Sequence, residues 1–253
     1  MSRPVVAITG ASRGIGRQLA IDFAAAGYDV ACLARSARGA RGRLPGTIDD
    51  TADAVEAAGG RALALPLDVR SEEDVEKAAE RVFGEFGRCD VVINNAAIAP
   101  PGNSLEMPGK LWRLGVDVNV NGPFYMIRHF CPRMLEAGGG RVINISSAVS
   151  VTPEFGRINY MVTKRALEAM TEGFAYELRD HRIAVNCIRL ELMVWSEGFA
   201  STLGETNKAG FEHPVVMSDA CLWLAKQPIS YTGRIVTIGD LRQMRVVRGP
   251  TPA

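Results

Sequence analysis

Seven short apolar runs recur along this chain, each separated from the next by a turn and, in most intervals, a helix-length stretch. They are Pro4–Thr9, Asp29–Ala34, Ala62–Pro66, Val91–Asn94, Arg141–Ser146, Ile183–Ile188 and Ile235–Ile238. Strands that are apolar on both faces must be covered on both faces. Parallel neighbours also need crossovers of about a dozen residues or more, which the intervening stretches supply. The pattern predicts an α/β chain with a doubly wound, seven-stranded parallel sheet, helices on both faces, and one domain over residues 1–253.

The helical stretches carry their own start and stop signals. Ile15, Leu19, Ala20, Phe23 and Ala24 share a face within Gly14–Ala26, and Gly27 stops it. Asp49–Ala58 ends at Gly59-Gly60, and Ser71 with Asp74 opens a helix that runs to Phe86. A long helix is expected from Trp112 or Asp117 to Ala137, bent or divided by Pro123 and Pro132. Asn159–Arg179 and Val216–Lys226 complete the set. Two stretches read as irregular: Ser36–Ile48, with Arg38, Arg41 and Arg43, and Leu190–Pro214, a candidate substrate lid.

Composition narrows the function classes. Lys plus Arg is 29 against 28 for Asp plus Glu, so charge gives no reason to expect nucleic acid or an anionic membrane as partner. Cys32, Cys89, Cys131, Cys187 and Cys221 form no CxxC pair, and no histidine stands at metal-ligand spacing. They read as reduced, buried thiols, and a cytoplasmic location with no metal is expected. No apolar run approaches the ~18 residues of a membrane span. No signal peptide is expected, because the first strand begins directly after Met-Ser-Arg.

Thr9-Gly10-Ala11-Ser12-Arg13-Gly14-Ile15-Gly16 joins the first strand to the first helix. A pyrophosphate needs close backbone approach and free N–H groups at a helix start, and glycines 10, 14 and 16 provide both. This makes the sheet Rossmann-like, with Gly10, Ser12, Arg13, Gly14, Ile15 and Gly16 as dinucleotide contacts. The second strand ends Leu33-Ala34-Arg35-Ser36 without the carboxylate that would bond an NAD ribose. Arg35, with Arg13 on the same side, therefore favours the 2′-phosphate of NADP(H) over NAD(H). Asp68-Val69 is placed to touch adenine, and Asn95-Ala96-Ala97 to pack on the adenine ribose.

Tyr160 and Lys164 share one helix face. An ammonium beside a phenol lowers its pKa from about 10, so the pair can exchange a proton with an alcohol. Ser147, at the end of the fifth strand, can hold the substrate oxygen against that phenol, while Ser146 satisfies backbone groups. Asn119 either holds a water through its side chain or interrupts the helical ladder, and Asn121 competes for the same role.

Together these residues resemble the short-chain dehydrogenase/reductase family. The likeness rests on TGASRGIG at 9–16, DV at 68–69, NNAA at 94–97, Asn119, Ser147 and YMVTK at 160–164, in the family's order. It implies hydride transfer between a nicotinamide and a carbonyl or alcohol carbon. Tyr160 is then the acid/base, Lys164 lowers its pKa and binds the nicotinamide ribose, Ser147 polarises the substrate and Asn119 holds a relay water. The family also implies a homodimer or homotetramer. Three departures stand out. NNAG is NNAA here. The Pro-Gly after the sixth strand is Leu190-Glu191, with Trp195 where a Thr is usual. Gly-Gly after the last strand is Gly239-Asp240.

Leu44–Ile48 and Ile183–Asn186 are similar to a branch that includes hydroxysteroid dehydrogenase-like proteins. That likeness points to a bulky or lipid-like carbonyl compound. Leu192, Met193, Val194, Trp195 and Phe199 either line its site or are ordinary packing. Two rival functions stand beside the oxidoreductase. One is a non-catalytic dinucleotide sensor or assembly protein, supported by the altered 190–195 stretch. The other is a lyase on the same fold, which the intact glycine turn opposes.

Overall fold

The computed structural model describes residues 2–39, 44–100, 102–103, 105–203 and 209–253. Arg41, Arg43 and the side chain of Phe199 lie outside the described residues. The strands are β1 (Val5–Thr9), β2 (Asp29–Ala34), β3 (Ala62–Pro66), β4 (Val91–Asn94), β5 (Gly140–Ser147), β6 (Ile183–Leu190) and β7 (Ile235–Thr237). They form one seven-stranded sheet in the order β3-β2-β1-β4-β5-β6-β7. Every pairing is parallel. The expected doubly wound, Rossmann-like architecture is therefore the one observed. The winding reverses between β1 and β4, which opens a crevice at the carboxyl ends of those strands.

Between the strands run α1 (Gly14–Ala25), α2 (Ile48–Ala57), α3 (Glu72–Phe86), α4 (Gly109–Val116), α5 (Gly122–Glu136), α6 (Ile158–Glu177), α7 (Glu197–Leu203), α8 (Val215–Lys226) and α9 (Ile238–Gln243). One core packs α1, α2, α8 and α9 on the sheet through Leu19, Phe23, Ile48, Val55, Met217, Leu224 and Leu241. The other packs α3, α5 and α6 on the opposite face through Val75, Val82, Met126, Phe130 and Ala175. Such alternation follows from strands whose odd and even residues are both apolar. Thr47 and Asp50 form a reciprocal capping box at the start of α2. Ser71 caps α3 through the Asp74 N–H, as its sequence spacing predicts.

The long helix is divided, and not by a proline kink. A π-turn at Asp117–Asn121 separates α4 from α5. Gly122 N–H bonds the Asp117 carbonyl, five residues back, and Pro123, next in line, has no N–H to give. Pro132 lies inside α5 without ending it. No helix among the described residues is long and apolar enough to cross a membrane.

Candidate active site

The glycine turn is shaped to bring backbone close to a ligand. Gly10 and Gly14 have φ of +70° and +53°, a region that side chains disfavour. A Cβ on Gly16 would fall 2.2 Å from the Gly10 carbonyl oxygen. Asn95 holds the turn from β4, donating from Nδ2 to Thr9 O at 2.8 Å, while Thr9 Oγ1 accepts from the N–H groups of Asn95 and Ala96 at 3.1 Å each. Arg13 precedes α1 without a side-chain cap. The first-turn amides of α1 therefore face the crevice as an anion cradle that fits a dinucleotide pyrophosphate. Ser12 is buried within this turn and Ile15 packs on the core.

The two arginines expected at the 2′-phosphate part company. Arg13 donates to the carbonyls of Pro45, Leu44 and Gly46 at 2.7, 3.2 and 3.0 Å, and to Ser36 Oγ at 3.2 Å. It thus fastens the Leu44–Gly46 segment onto the glycine turn. Arg35 is exposed and, among the described residues, makes no hydrogen bond or ion pair. Asp68 is gripped by Arg70, whose Nε reaches both carboxylate oxygens at 2.9 and 3.0 Å. That grip holds the Asp68 carboxyl below its usual range. Val69 packs beneath Gly122, where a Cβ would come within 3.0 Å. Ala97 is exposed, so the extra methyl of NNAA has room.

The end of β5 and the start of α6 bring Ser147, Tyr160 and Lys164 together. Ser147 begins a short 3-10 turn, Ala148–Ser150, and its Oγ accepts from Val149 N–H at 3.4 Å. Burial pushes the Tyr160 phenol up to about 12, against the pull of the Ser147 hydroxyl and of Arg157. The expectation that Lys164 lowers this pKa is not what the protein alone displays. The Lys164 Nζ lies 5.5 Å from the centre of the Tyr160 ring and donates to Ile145 O at 2.6 Å. Burial lowers the Lys164 ammonium to about 8, opposed by Cys187 and Glu168. At neutral pH the phenol is therefore protonated and stands beside a cationic lysine.

Asn119 is buried in the π-turn. Its side chain accepts from Ile98 N–H at 2.9 Å and donates to Ile98 O at 2.8 Å and Thr163 Oγ1 at 3.0 Å. That side chain thus clamps the β4 exit to α6. The alternative, an interrupted ladder, matches the π-turn. Asn121 only pairs with Asp117 one turn back, at 3.0 Å.

One residue of the site escaped the sequence reading. Glu168 is 1% exposed in its side chain, one turn beyond Lys164 on α6. Its Oε1 accepts from Ser146 Oγ, Ser150 Oγ and Arg189 Nε at 2.8, 2.7 and 2.9 Å. Its Oε2 accepts from Arg189 Nη2 at 2.8 Å and from Arg165 at 3.2 Å. Burial would raise its pKa, but Arg189, Ser150 and Ser146 outweigh that and keep it ionised.

The stretch after β6 explains the remaining departures. Glu191 accepts from Gly239 N–H at 2.9 Å, and a Cβ on Gly239 would fall 2.4 Å from that carboxylate. Asp240 completes a capping box with Thr237 at the start of α9. The side chain of Glu191 thus supplies a constraint where Pro-Gly is absent. Trp195 turns away and packs edge-on against Phe211 at 5.3 Å. Ser196 is the residue that meets the glycine turn, 2.6 Å from where a Gly14 Cβ would stand. Beside it, Glu197 Oε2 is buried without a hydrogen-bond partner among the described residues. Val194 is buried and Leu192 packs on the core, so packing accounts for both, while Met193 is exposed.

All five cysteines are free and buried. Burial pushes the thiols of Cys32, Cys131 and Cys187 up to about 12, and those of Cys89 and Cys221 up as well. No group of three or more His, Cys, Asp or Glu able to hold a metal occurs among the described residues.

The sequence profile for short chain dehydrogenases matches residues 4–198. Hydroxysteroid dehydrogenase-like protein 2 of Bos taurus is 31% identical over 233 residues, covering 91% of this chain and 55% of that protein. The chain thus spans about half the length of the curated relatives it matches. Among solved structures, a short chain dehydrogenase from Mycobacterium paratuberculosis bound to NAD superposes with a TM-score of 0.84 at 26% identity, over 94% of this chain and 97% of that one. A Beutenbergia cavernae protein solved with NADP at low occupancy gives 0.81 at 25% identity, over 96% and 98%.

Proposed function

The chain belongs to the short-chain dehydrogenase family of oxidoreductases, and from that premise we propose that it moves a hydride between NADP(H) and a carbonyl or secondary alcohol, with Tyr160 as acid and base. The observation that carries this reading is the meeting of Ser147, Tyr160 and Lys164 at the carboxyl end of β5, beside a glycine cradle at the end of β1. A bound nicotinamide dinucleotide supplies or accepts the hydride. Ser147 orients the substrate oxygen, Tyr160 gives it a proton in the reductive direction, and the Lys164 cation stabilises the phenolate left behind. Gly10, Gly14, Ile15 and Gly16 hold the pyrophosphate, and Asp68, Val69 and Asn95–Ala97 border the adenosine.

Arg35 supports NADP(H), because it is a cation with no partner among the described residues, at the end of β2, where no carboxylate stands. The solved relatives carry NAD in one case and NADP in another, so this side chain is what favours the phosphorylated form. An apolar carbonyl compound fits the rim best. Val151 and Phe155, between Ser147 and Tyr160, are exposed, as is Leu105. Their segments adjoin where Gly156 approaches Gly102. Exposed Trp112, Phe124, Val162 and Tyr176 on α4–α6 support a homodimer or homotetramer, which light scattering tests.

The decisive experiment is a panel of aliphatic, aromatic and polycyclic carbonyl compounds, followed by NADPH absorbance. Tyr160→Phe should abolish turnover of every compound found. Turnover at the unmutated rate would refute the mechanism.

A further inference from the structure

Two residues flanking Ser147 are tied to a single buried oxygen. Ser146 precedes Ser147 and Ser150 follows it by three, and both hydroxyls donate to Glu168 Oε1. Arg189, which stands opposite Ser146 in the β5–β6 register, bonds both oxygens of the same carboxylate. Glu168 thus joins three elements at the site: the strand end that carries Ser147, the helix that carries Tyr160 and Lys164, and the β6 end that leads into the atypical Leu190–Glu191.

We propose that Glu168 is a positioning residue for the hydride-transfer site, holding Ser147 in register with Tyr160 and supplying the anion that keeps Lys164 a cation. This rests on the reading of Ser147, Tyr160 and Lys164 given above. A carboxylate buried to this degree is costly unless fully bonded, and its donors here come from segments that otherwise end or turn. Among the described residues, the titratable groups around Lys164 are few. Tyr160 and Glu168 face it from α6 and Cys187 from β6, while Arg189 and Arg165 bond Glu168. Ile145 of β5 offers a carbonyl, and the π-turn presents uncharged Asn119. Burial keeps the Cys187 thiol neutral, with its pKa near 12, so at neutral pH Glu168 is the anion that opposes loss of the Lys164 proton.

Glu168→Gln tests this, because it preserves shape and removes charge. Two readouts are needed. The first is kcat and KM with the best carbonyl compound of the panel. The second is the Lys164 titration itself, followed by NMR of 13C-lysine-labelled protein and assigned with Lys164→Arg. The lysine should lose its proton at lower pH in Glu168→Gln than in the wild type. Turnover should fall by about tenfold or more, more in kcat than in KM. Ser146→Ala/Ser150→Ala should lower kcat without moving the titration, which separates geometry from charge. Should Glu168→Gln fail to fold, Glu168→Gln/Arg189→Met is compared with Arg189→Met, so that the carboxylate is again the one charge that differs, and the lysine should lose its proton at lower pH in the double variant. An unmoved Lys164 titration together with unchanged kcat in a folded variant would overturn the proposal. The NMR readout needs no turnover, and Tyr160→Phe run alongside tests the underlying mechanism separately.

Discussion

Lys164 is the residue whose removal should separate stability from activity. The residue is 3% exposed and its ammonium falls from an ordinary 10.5 to about 8. A folded-state pKa below the unfolded one means that the unfolded chain binds the proton more tightly. The cationic lysine therefore weakens the fold most below pH 8, and this penalty is lost as pH rises from about 8 to 10.5. Linkage with those two values gives a cost of about 3 kcal/mol at pH 7 and about 1 kcal/mol at pH 10. Lys164→Met keeps the volume and removes the proton. It also leaves the Ile145 carbonyl without its 2.6 Å donor, which costs about 1–3 kcal/mol at every pH. The absolute stabilities of the two proteins at pH 7 should thus lie close together, while their pH dependence diverges. Urea unfolding at steps from pH 7 to 10 measures this. The wild type should gain about 2 kcal/mol relative to Lys164→Met over that range. Parallel curves would refute the view that Lys164 is held charged against desolvation. Turnover should be lost in the variant throughout.

Arg35→Ser should weaken NADPH binding about tenfold and leave NADH nearly unchanged, since one exposed ion pair to the 2′-phosphate is worth about 1–2 kcal/mol; fluorescence titration with both cofactors checks it. Glu197→Gln should tighten dinucleotide binding several-fold, because Glu197 Oε2 lies 3.4 Å from where a Gly14 Cβ would stand, at the positive end of α1. The same change should cost at most about 1 kcal/mol in urea unfolding through loss of the carboxylate–dipole attraction, and weaker binding would contradict the placement. Gly16→Ala should abolish dinucleotide binding in the same titration, because the added methyl meets the backbone oxygen of Gly10 at 2.2 Å, which cannot swing aside.

What could be read from the sequence, and what could not, divides along locality. β2 and β3 were legible to the residue, because five consecutive apolar side chains between turn signals leave little choice. The glycine turn and the Tyr160–Lys164 face were legible for the same reason, each being a short-range pattern with one physical purpose. The six-residue α9 is too short for periodicity, and its one local signal is the Thr237–Asp240 capping spacing. Glu168 draws its partners from 18 to 22 residues away, across two strand ends. The direction of the Tyr160 pKa likewise depends on how deeply tertiary packing buries the phenol, and no spacing encodes that. Leu190–Trp195 combines both difficulties, for it has no period and its partners are remote. Read along the chain, Glu191 removes a turn and Asp240 removes a glycine. In space, Glu191 bonds the amide of Gly239, which Asp240 follows in the first turn of α9, 48 residues downstream. Two departures that meet in this way replace one constraint by another. The β6 exit therefore stays fixed beside the crevice, and the departures there do not argue for a protein that has lost its chemistry.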